Sequence, residues 1–379
     1  MESDRLREPR SLALDACRGI AVIMVIISHL GLFRIFPSLP ETVRLTQEMG
    51  IFGVDLFYVL SGFFITQAVL RPTHWDPRRF AIARITRIYP AYLVSIAAYL
   101  VPILYVQGIG TELVAKTMLH VTMLHNFLPR TNSYLNTAYW TLGVEFPYYM
   151  AMLAMAVFLR EQKLFVQIVI GMIAISILWR TAVFITIAGE YRFWVLTQLP
   201  GALDAFALGG IVARLHLSER LNARLSRWRW GLICVGVLCA LACLGYFALH
   251  SFEFWTVPLG AMLWRTALAL SFALIVAGCA NTRNSRALAL TGLPWVGKIS
   301  YSLYLFHGLA IGAIIALSAR WNWRLELGAT LLLMAVISWL SWRFVETRFH
   351  RSLTTMTPVG PAESRPTGQS AVKPSIPAA

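Results

Sequence analysis

Long apolar runs separated by short polar segments repeat along the chain as far as Trp342. A run of about 20 apolar residues spans the hydrocarbon core of a bilayer as a helix, because each residue adds about 1.5 Å. Ten runs reach this length, so the pattern predicts an all-α, polytopic membrane protein with about ten transmembrane helices. The predicted spans are 11–33, 52–70, 88–106, 137–159, 164 to a poorly defined end near Arg180, 193–213, 231–249, 255–280, 299–319 and 325–342.

Basic residues collect in every second loop between these spans. The loop after the second span contains Arg71, Arg78, Arg79, Arg84 and Arg87, and five more arginines follow the sixth span. Lys and Arg are enriched in the cytoplasmic loops of membrane proteins. The pattern therefore predicts that these loops and both termini are cytoplasmic.

The two ends of the chain differ in character from the spans. Residues 352–379 contain five prolines and no apolar periodicity, which is typical of a disordered segment. We expect a ten-span membrane domain at 1–351, a disordered cytoplasmic tail at 352–379, and no further folded domain. At the other end, arginines precede an apolar run as in a signal peptide. Asp15 and Arg18 interrupt that run, so we interpret it as a retained first span.

The composition is typical of a membrane protein and gives no reason to expect a nucleic-acid partner. The 379 residues are 58% hydrophobic and 13% charged, whereas a soluble protein has about 25% charged residues. The net charge of +15 follows the alternating loops, so it reflects topology and no nucleic-acid partner is expected. Membrane lipid is the expected environment, in a bacterial-type cytoplasmic (inner) membrane.

Two ionisable residues in the first span are unusual for a plain anchor. Arg18 and His29 are eleven positions apart, so they share one helix face and lie roughly 16 Å apart along its axis. Such residues normally face a protein interior or a wet cavity. A histidine can act as a general base, and a carboxylate such as Glu145 can orient it. The alternative is that Arg18 and His29 only anchor the helix at the interface.

Other polar residues suggest a binding function or exclude a metal. Arg84 and Arg87 lie near the inner end of the third span, where guanidinium groups suit phosphate. Anchoring to anionic lipid is the alternative for both. His120 and His125 have no third ligand at metal spacing, so we expect no metal.

Five short motifs, in order along the chain, resemble those of the integral-membrane acyltransferase-3 family, and the resemblance extends over 11–350. In the first motif, Arg18 and His29 match the family's arginine and histidine separated by ten residues. The motifs are LDACRGIAVIMVIISH at 14–29, GVDLFYVLSGFFIT at 53–66, RITRIYPAY at 84–92, WTLGVEFPYY at 140–149 and ISYSLYLFH at 299–307.

This resemblance implies a membrane O-acyltransferase. It would move a short acyl group, expected to be acetyl, from cytosolic acyl-CoA to a hydroxyl of a sugar-containing acceptor. That acceptor would be a cell-envelope polysaccharide, a lipid-linked glycan or a glycosylated small molecule. Catalysis would involve His29, Glu145 and Arg18, with Glu145 or Asp55 orienting His29. Pro147 lies two residues after Glu145, so a kink is expected there.

The resemblance also implies which residues bind the two substrates. Acyl-CoA, with acetyl-CoA as the expected donor, would meet three arginines of the inner half: Arg84, Arg87 and Arg18. The acceptor would meet four residues of other spans: Asp55, Trp140, Tyr301 and His307.

Two other functions stay open on the residues alone. A transporter or flippase for a glycan or small anion would line its path with the same buried charges. No internal repeat is visible, which counts against a transporter with mirrored halves. A catalytically silent membrane scaffold is the third alternative.

Overall fold

The computed structural model describes residues 11–32, 44, 47–72, 74–189, 191–250, 260–318 and 321–349. This described part contains helices and no strand. Ten of its helices are long and apolar enough to cross a membrane, which confirms the all-α, multi-pass prediction. Numbered α1 to α10, they are Leu12–Leu32, Met49–Leu70, Pro77–Gln107, Tyr139–Arg160, Gln162–Thr186, Tyr191–Leu217, Glu219–Leu249, Met262–Ala280, Ser300–Leu317 and Trp323–Phe349.

The helix starts differ most from the predicted spans where arginines are dense. α3 begins at Pro77 rather than at 88, and α7 begins at Glu219 rather than at 231. Arginine is a good helix former, so charge marks the membrane edge without ending the helix. At the start of α3, the Asp76 carboxylate accepts a hydrogen bond from the Arg79 backbone N–H at 2.9 Å, a typical N-terminal cap.

The structure differs from the predicted spans at two further points, and two other predictions concern residues that it does not describe. Pro90, two residues after the predicted start of the third span at 88, lies inside α3. Gln198 is extended and divides α6 into two helices, Tyr191–Leu196 and Leu199–Leu217. The predicted start of the eighth span at 255 and the tail at 352–379 lie outside the described residues.

Four shorter helical segments of the described chain connect the spans. Thr111–Val121 and the 3-10 turn His125–Phe127 lie between α3 and α4. Arg286–Leu290 and Leu293–Lys298 lie between α8 and α9.

Close glycine contacts bring α2 to the centre of the bundle. A Cβ atom added to Gly62 of α2 would lie 2.1 Å from the Phe206 carbonyl oxygen of α6. A Cβ added to Gly209 of α6 would lie 2.0 Å from the Val59 carbonyl oxygen. Small residues allow membrane helices to approach in this way. The buried share is 72% for α2 but only 17% for α7, so α2 lies at the centre and α7 faces lipid.

Candidate active site

A cavity with an empty volume of about 820 Å³ lies between α1, α2, α3, α4 and α9. We call it the main cavity. Polar side chains of all five helices line it: Arg18, Tyr58, Ser61, Arg84, Arg87, Thr141, Glu145, Tyr149, Ser300, Tyr301 and Tyr304.

The three arginines predicted to bind the donor meet at the main cavity. Arg18, Arg84 and Arg87 are half-buried there. The Arg18 guanidinium lies 4.4 Å from the ring centre of Phe64. Arg84 Nε is buried and has no hydrogen-bond partner among the described residues. A buried guanidinium N–H that lacks an acceptor, as in Arg84, suits an anionic ligand.

Glu145 lies in the wall of the same cavity. Its carboxylate accepts hydrogen bonds from the Ser61 hydroxyl of α2 at 2.5 Å and from the Tyr149 hydroxyl one turn later. The helix Leu142–Arg160 runs on through Pro147, so the proline leaves Glu145 at the site. Ser61 and Tyr149 are site residues that the sequence analysis did not single out, although both lie within the quoted motifs.

His29 packs against His307, with ring centres 4.7 Å apart and planes at 76°. His29 Nδ1 is 2.9 Å from the Val25 carbonyl oxygen, and His307 Nδ1 is 2.8 Å from the Tyr304 carbonyl oxygen. A carbonyl only accepts, so each Nδ1 carries the proton and each Nε2 is left as a base. Both histidines are buried, and His307 Nε2 has no partner in the described chain.

The structure places a second ring, rather than a carboxylate, directly beside His29. Neither Glu145 nor Asp55 forms a described hydrogen bond with His29. Glu145 is held by two hydroxyls at the main cavity, and Asp55 is bound to an arginine. The neighbouring ring of His29 is His307 of α9. The contact joins two helices that are far apart in sequence, which helical spacing within one span cannot reveal.

Tyr304 connects the histidine pair to the main cavity. Tyr304 lines the cavity, and its ring centre is 5.9 Å from that of His307, one turn further along α9. Its hydroxyl lies 2.5 Å from the Thr141 hydroxyl of α4. The pair therefore adjoins the cavity at the end away from Arg18, which precedes His29 by roughly 16 Å of helix.

The remaining predicted acceptor residues are separated from one another. Tyr301 lines the main cavity and donates a hydrogen bond to the Ile88 carbonyl oxygen at 2.9 Å. Trp140 and Asp55 instead line a small apolar cavity of about 270 Å³. The Asp55 carboxylate accepts from Arg265 of α8 at 2.8 Å and 3.1 Å, so it is already engaged. Arg265 lies within the predicted span 255–280, and its partner is visible only in the structure.

A second pair of histidines lies outside the membrane-length helices. The rings of His120 and His125 are 4.4 Å apart and fully buried. Burial, followed by the proximity of His125, lowers the pKa of His120 to about 3. Both rings are therefore neutral near pH 7. In the described part of the chain, no group of three His, Cys, Asp or Glu residues is placed to hold a metal.

Comparisons with known proteins identify the family. The chain is 24% identical to the peptidoglycan O-acetyltransferase OatA of Listeria monocytogenes over 90% of its own length and 56% of OatA. It is 23% identical to the O-acetyltransferase OatA of Staphylococcus aureus, over 91% of the chain and 58% of that protein. It is 28% identical to the exopolysaccharide production protein ExoZ of Rhizobium meliloti, over 76% of the chain and 84% of ExoZ.

The chain thus spans little more than half of either OatA protein. No solved structure matches it. A family described as an acyltransferase domain matches residues 11–343, and on this match the chain belongs to the acyltransferase-3 family of multi-pass membrane enzymes.

Proposed function

We propose that this protein transfers a short acyl group, acetyl in the first instance, from cytosolic acyl-CoA to a hydroxyl of a sugar-containing acceptor. One observation carries the proposal: three arginines line a cavity whose wall residue Tyr304 contacts a pair of buried histidines. Membership of an acyltransferase family supports the reaction class. The names of the relatives OatA and ExoZ refer to peptidoglycan and exopolysaccharide, which supports a cell-envelope polysaccharide as the acceptor.

The main cavity suits the charged and polar parts of such a donor. Arg18, Arg84 and Arg87 would hold its phosphates, because guanidinium groups bind phosphate oxygens through paired hydrogen bonds. The carboxylate of Glu145 would accept from amide N–H groups of the arm that carries the thioester. The acyl group would then lie near Tyr304, next to the histidine pair. Acyl-CoA is a substrate here, and the proposal needs no metal.

The reaction would proceed by general base catalysis at His29. Its unprotonated Nε2 takes the proton of the acceptor hydroxyl, and the hydroxyl oxygen attacks the thioester carbonyl carbon. The carbon–sulfur bond breaks, and the thiolate of coenzyme A leaves and takes the proton back from His29. The products are an O-acyl ester and free coenzyme A. His307, with its own Nε2 unprotonated, would present a lone pair and no positive charge beside the imidazolium that His29 becomes during the reaction.

The test is loss of the acetyl-CoA thioester catalysed by the purified protein in detergent, with a sugar-rich envelope extract as acceptor. We expect His29→Ala to lower the rate about 100- to 10,000-fold, the usual contribution of a general base. The control is His250→Ala, a histidine just beyond α7 and outside the main cavity; we expect it to keep the wild-type rate. Melting temperatures of both variants should match the wild type.

Two results would contradict the proposal. Wild-type turnover by the His29→Ala protein would remove the proposed base. If the wild type consumed no thioester with any short-chain donor, acyl transfer itself would be in doubt. Movement of a glycan or anion across vesicles without thioester loss would then favour a transporter.

A further inference from the structure

A second cavity, with an empty volume of about 1,390 Å³, lies beside the main cavity. Arg18 and Phe64 line both, so the two spaces are neighbours across these side chains. The second cavity lies where the start of α1, the ends of α2 and α6, the start of α7 and the segment after α8 meet. The proposed acyl-transfer chemistry uses Arg18 but leaves the rest of this space unexplained.

Two amide side chains in the second cavity lack partners in the described chain. Gln67 of α2 is only 8% exposed, and its Nε2 donor is buried without a hydrogen-bond partner. On α7, the Oδ1 acceptor of Asn222 is likewise buried and without a partner. Buried polar groups are nearly always satisfied in folded proteins. A buried donor and a buried acceptor, both unpaired on residues that line one cavity, therefore indicate a polar ligand with the complementary pattern.

Flat rings and cations accompany the two amides. The half-buried His216 ring lies at the cavity wall, backed by the buried Phe63 ring 5.8 Å away, and an aromatic surface of this kind can stack on a nucleic-acid base. Arg71 and Arg283 lie exposed at its edge, where they can reach phosphate groups. An amide donor, an amide acceptor, a stacking surface and cations together suit a purine nucleotide.

Adenine fits this pattern better than guanine. Adenine presents an N6 amino donor next to an N7 acceptor, the pair that Asn and Gln side chains read in proteins. Guanine presents two acceptors at the same positions, O6 and N7, so through this edge it would leave the Asn222 acceptor unpaired. Resting on the proposed function, we propose that the second cavity binds the adenine nucleotide end of the acyl donor.

In this arrangement the donor runs from one cavity into the other. Gln67 Nε2 donates to a ring nitrogen of adenine, and Asn222 Oδ1 accepts from its amino group. The nucleotide phosphates pass Arg18, which faces both spaces. The thioester arm then extends through the main cavity towards the histidine pair. The adenine-binding residues therefore determine the affinity for the donor without contacting the reacting atoms.

Titration of the purified wild-type protein with adenosine 3′,5′-bisphosphate, followed by calorimetry, tests the nucleotide site without any turnover. We expect binding that weakens about tenfold in Gln67→Met and in Asn222→Leu, since each removes one hydrogen bond to the base. Guanosine 3′,5′-bisphosphate should bind the wild type more weakly than the adenosine compound. The matched control is Gln162→Met at the start of α5, outside both cavities, which should bind as the wild type does.

Kinetic measurements on the same variants then distinguish a loss of adenine recognition from a folding defect. The same variants should raise the KM for acetyl-CoA about tenfold and leave kcat/KM unchanged for S-acetyl-phosphopantetheine, which carries the thioester without the nucleotide. Equal losses with both donors would overturn the proposal, as would undiminished bisphosphate binding in both variants. If the bisphosphate binds through Gln67 but the wild type consumes no acetyl-CoA, the acyl-transfer function fails while the nucleotide site stands.

Discussion

At the scale of single residues, burial determines how His120 responds to acid. Its pKa is lowered to about 3 by burial and by His125, whereas an unfolded chain takes up the proton near pH 6.5. Below pH 6.5 the unfolded state therefore binds more protons, and the folded state loses stability until the pH reaches about 3. We expect the melting temperature to fall less steeply with acid in His120→Gln than in the wild type.

Melting curves recorded by circular dichroism from pH 7 down to pH 4 would measure this difference. His74→Gln, at an exposed position before α3, is the control that should keep the wild-type slope. A wild-type slope in the His120→Gln protein would contradict the argument.

Residues within one helix could be predicted from the sequence, whereas contacts between helices could not. The eleven-residue spacing of Arg18 and His29 is a property of one helix, so it was visible in the sequence. The Ser61–Glu145 hydrogen bond and the His29–His307 ring contact join different helices. Their partners depend on how the helices pack, and no local pattern encodes that. For this reason the sequence could not show which side chain lies beside His29, and the structure places the His307 ring there.

At the scale of helices, two buried ion pairs each join two spans: one links α5 to α6, and the other links α2 to α8. Arg180 of α5 donates to the Asp204 carboxylate of α6 at 2.6 Å, and Thr266 of α8 donates to the same carboxylate at 2.6 Å. Asp55 of α2 is paired with Arg265 of α8 at 2.8 Å. The sequence showed each charge inside a span, and the structure adds the partners.

Breaking one of these pairs should destabilise the bundle strongly. We expect Asp204→Asn to lower the free energy of unfolding by about 3–5 kcal/mol, because it leaves the Arg180 charge buried without its counterion. The control is Lys116→Ala, which breaks a pair with the largely exposed Glu112 and should cost at most about 1 kcal/mol.

Thermal unfolding in detergent would measure both variants. The double variant Arg180→Met/Asp204→Leu should recover much of the loss, since it removes both charges together. If Asp204→Asn were as stable as the wild type, the pair would not hold these helices together.

At the scale of the whole molecule, the helix ends that meet at the second cavity are the ones that adjoin the basic loops. The start of α1, the ends of α2 and α6 and the start of α7 all meet at the second cavity, so they lie on one side of the bundle. Arginine-rich segments of the sequence adjoin the same ends. The rule that Lys and Arg mark cytoplasmic loops therefore predicts that the second cavity opens to the cytosol, where acyl-CoA would enter.

Cysteine labelling can test this orientation across α3. The helix Pro77–Gln107 has 31 residues, about 46 Å of length, so we expect Arg78 and Gly110 on opposite sides of the membrane. We expect a membrane-impermeant maleimide, added to intact cells whose outer layers are permeable to it, to label Gly110→Cys. Arg78→Cys should react only after the inner membrane is opened. Both variants would be made after replacing the five native cysteines.

Gly110 has no heavy atom within 4 Å of an added Cβ, so the substitution should not disturb the fold. Labelling of Arg78→Cys in intact cells, with Gly110→Cys protected, would show that the topology is the reverse of the one predicted. The second cavity would then open away from the cytosol, and a cytosolic acyl-CoA donor could not enter it. The orientation of this one helix therefore decides whether the proposed donor path is possible.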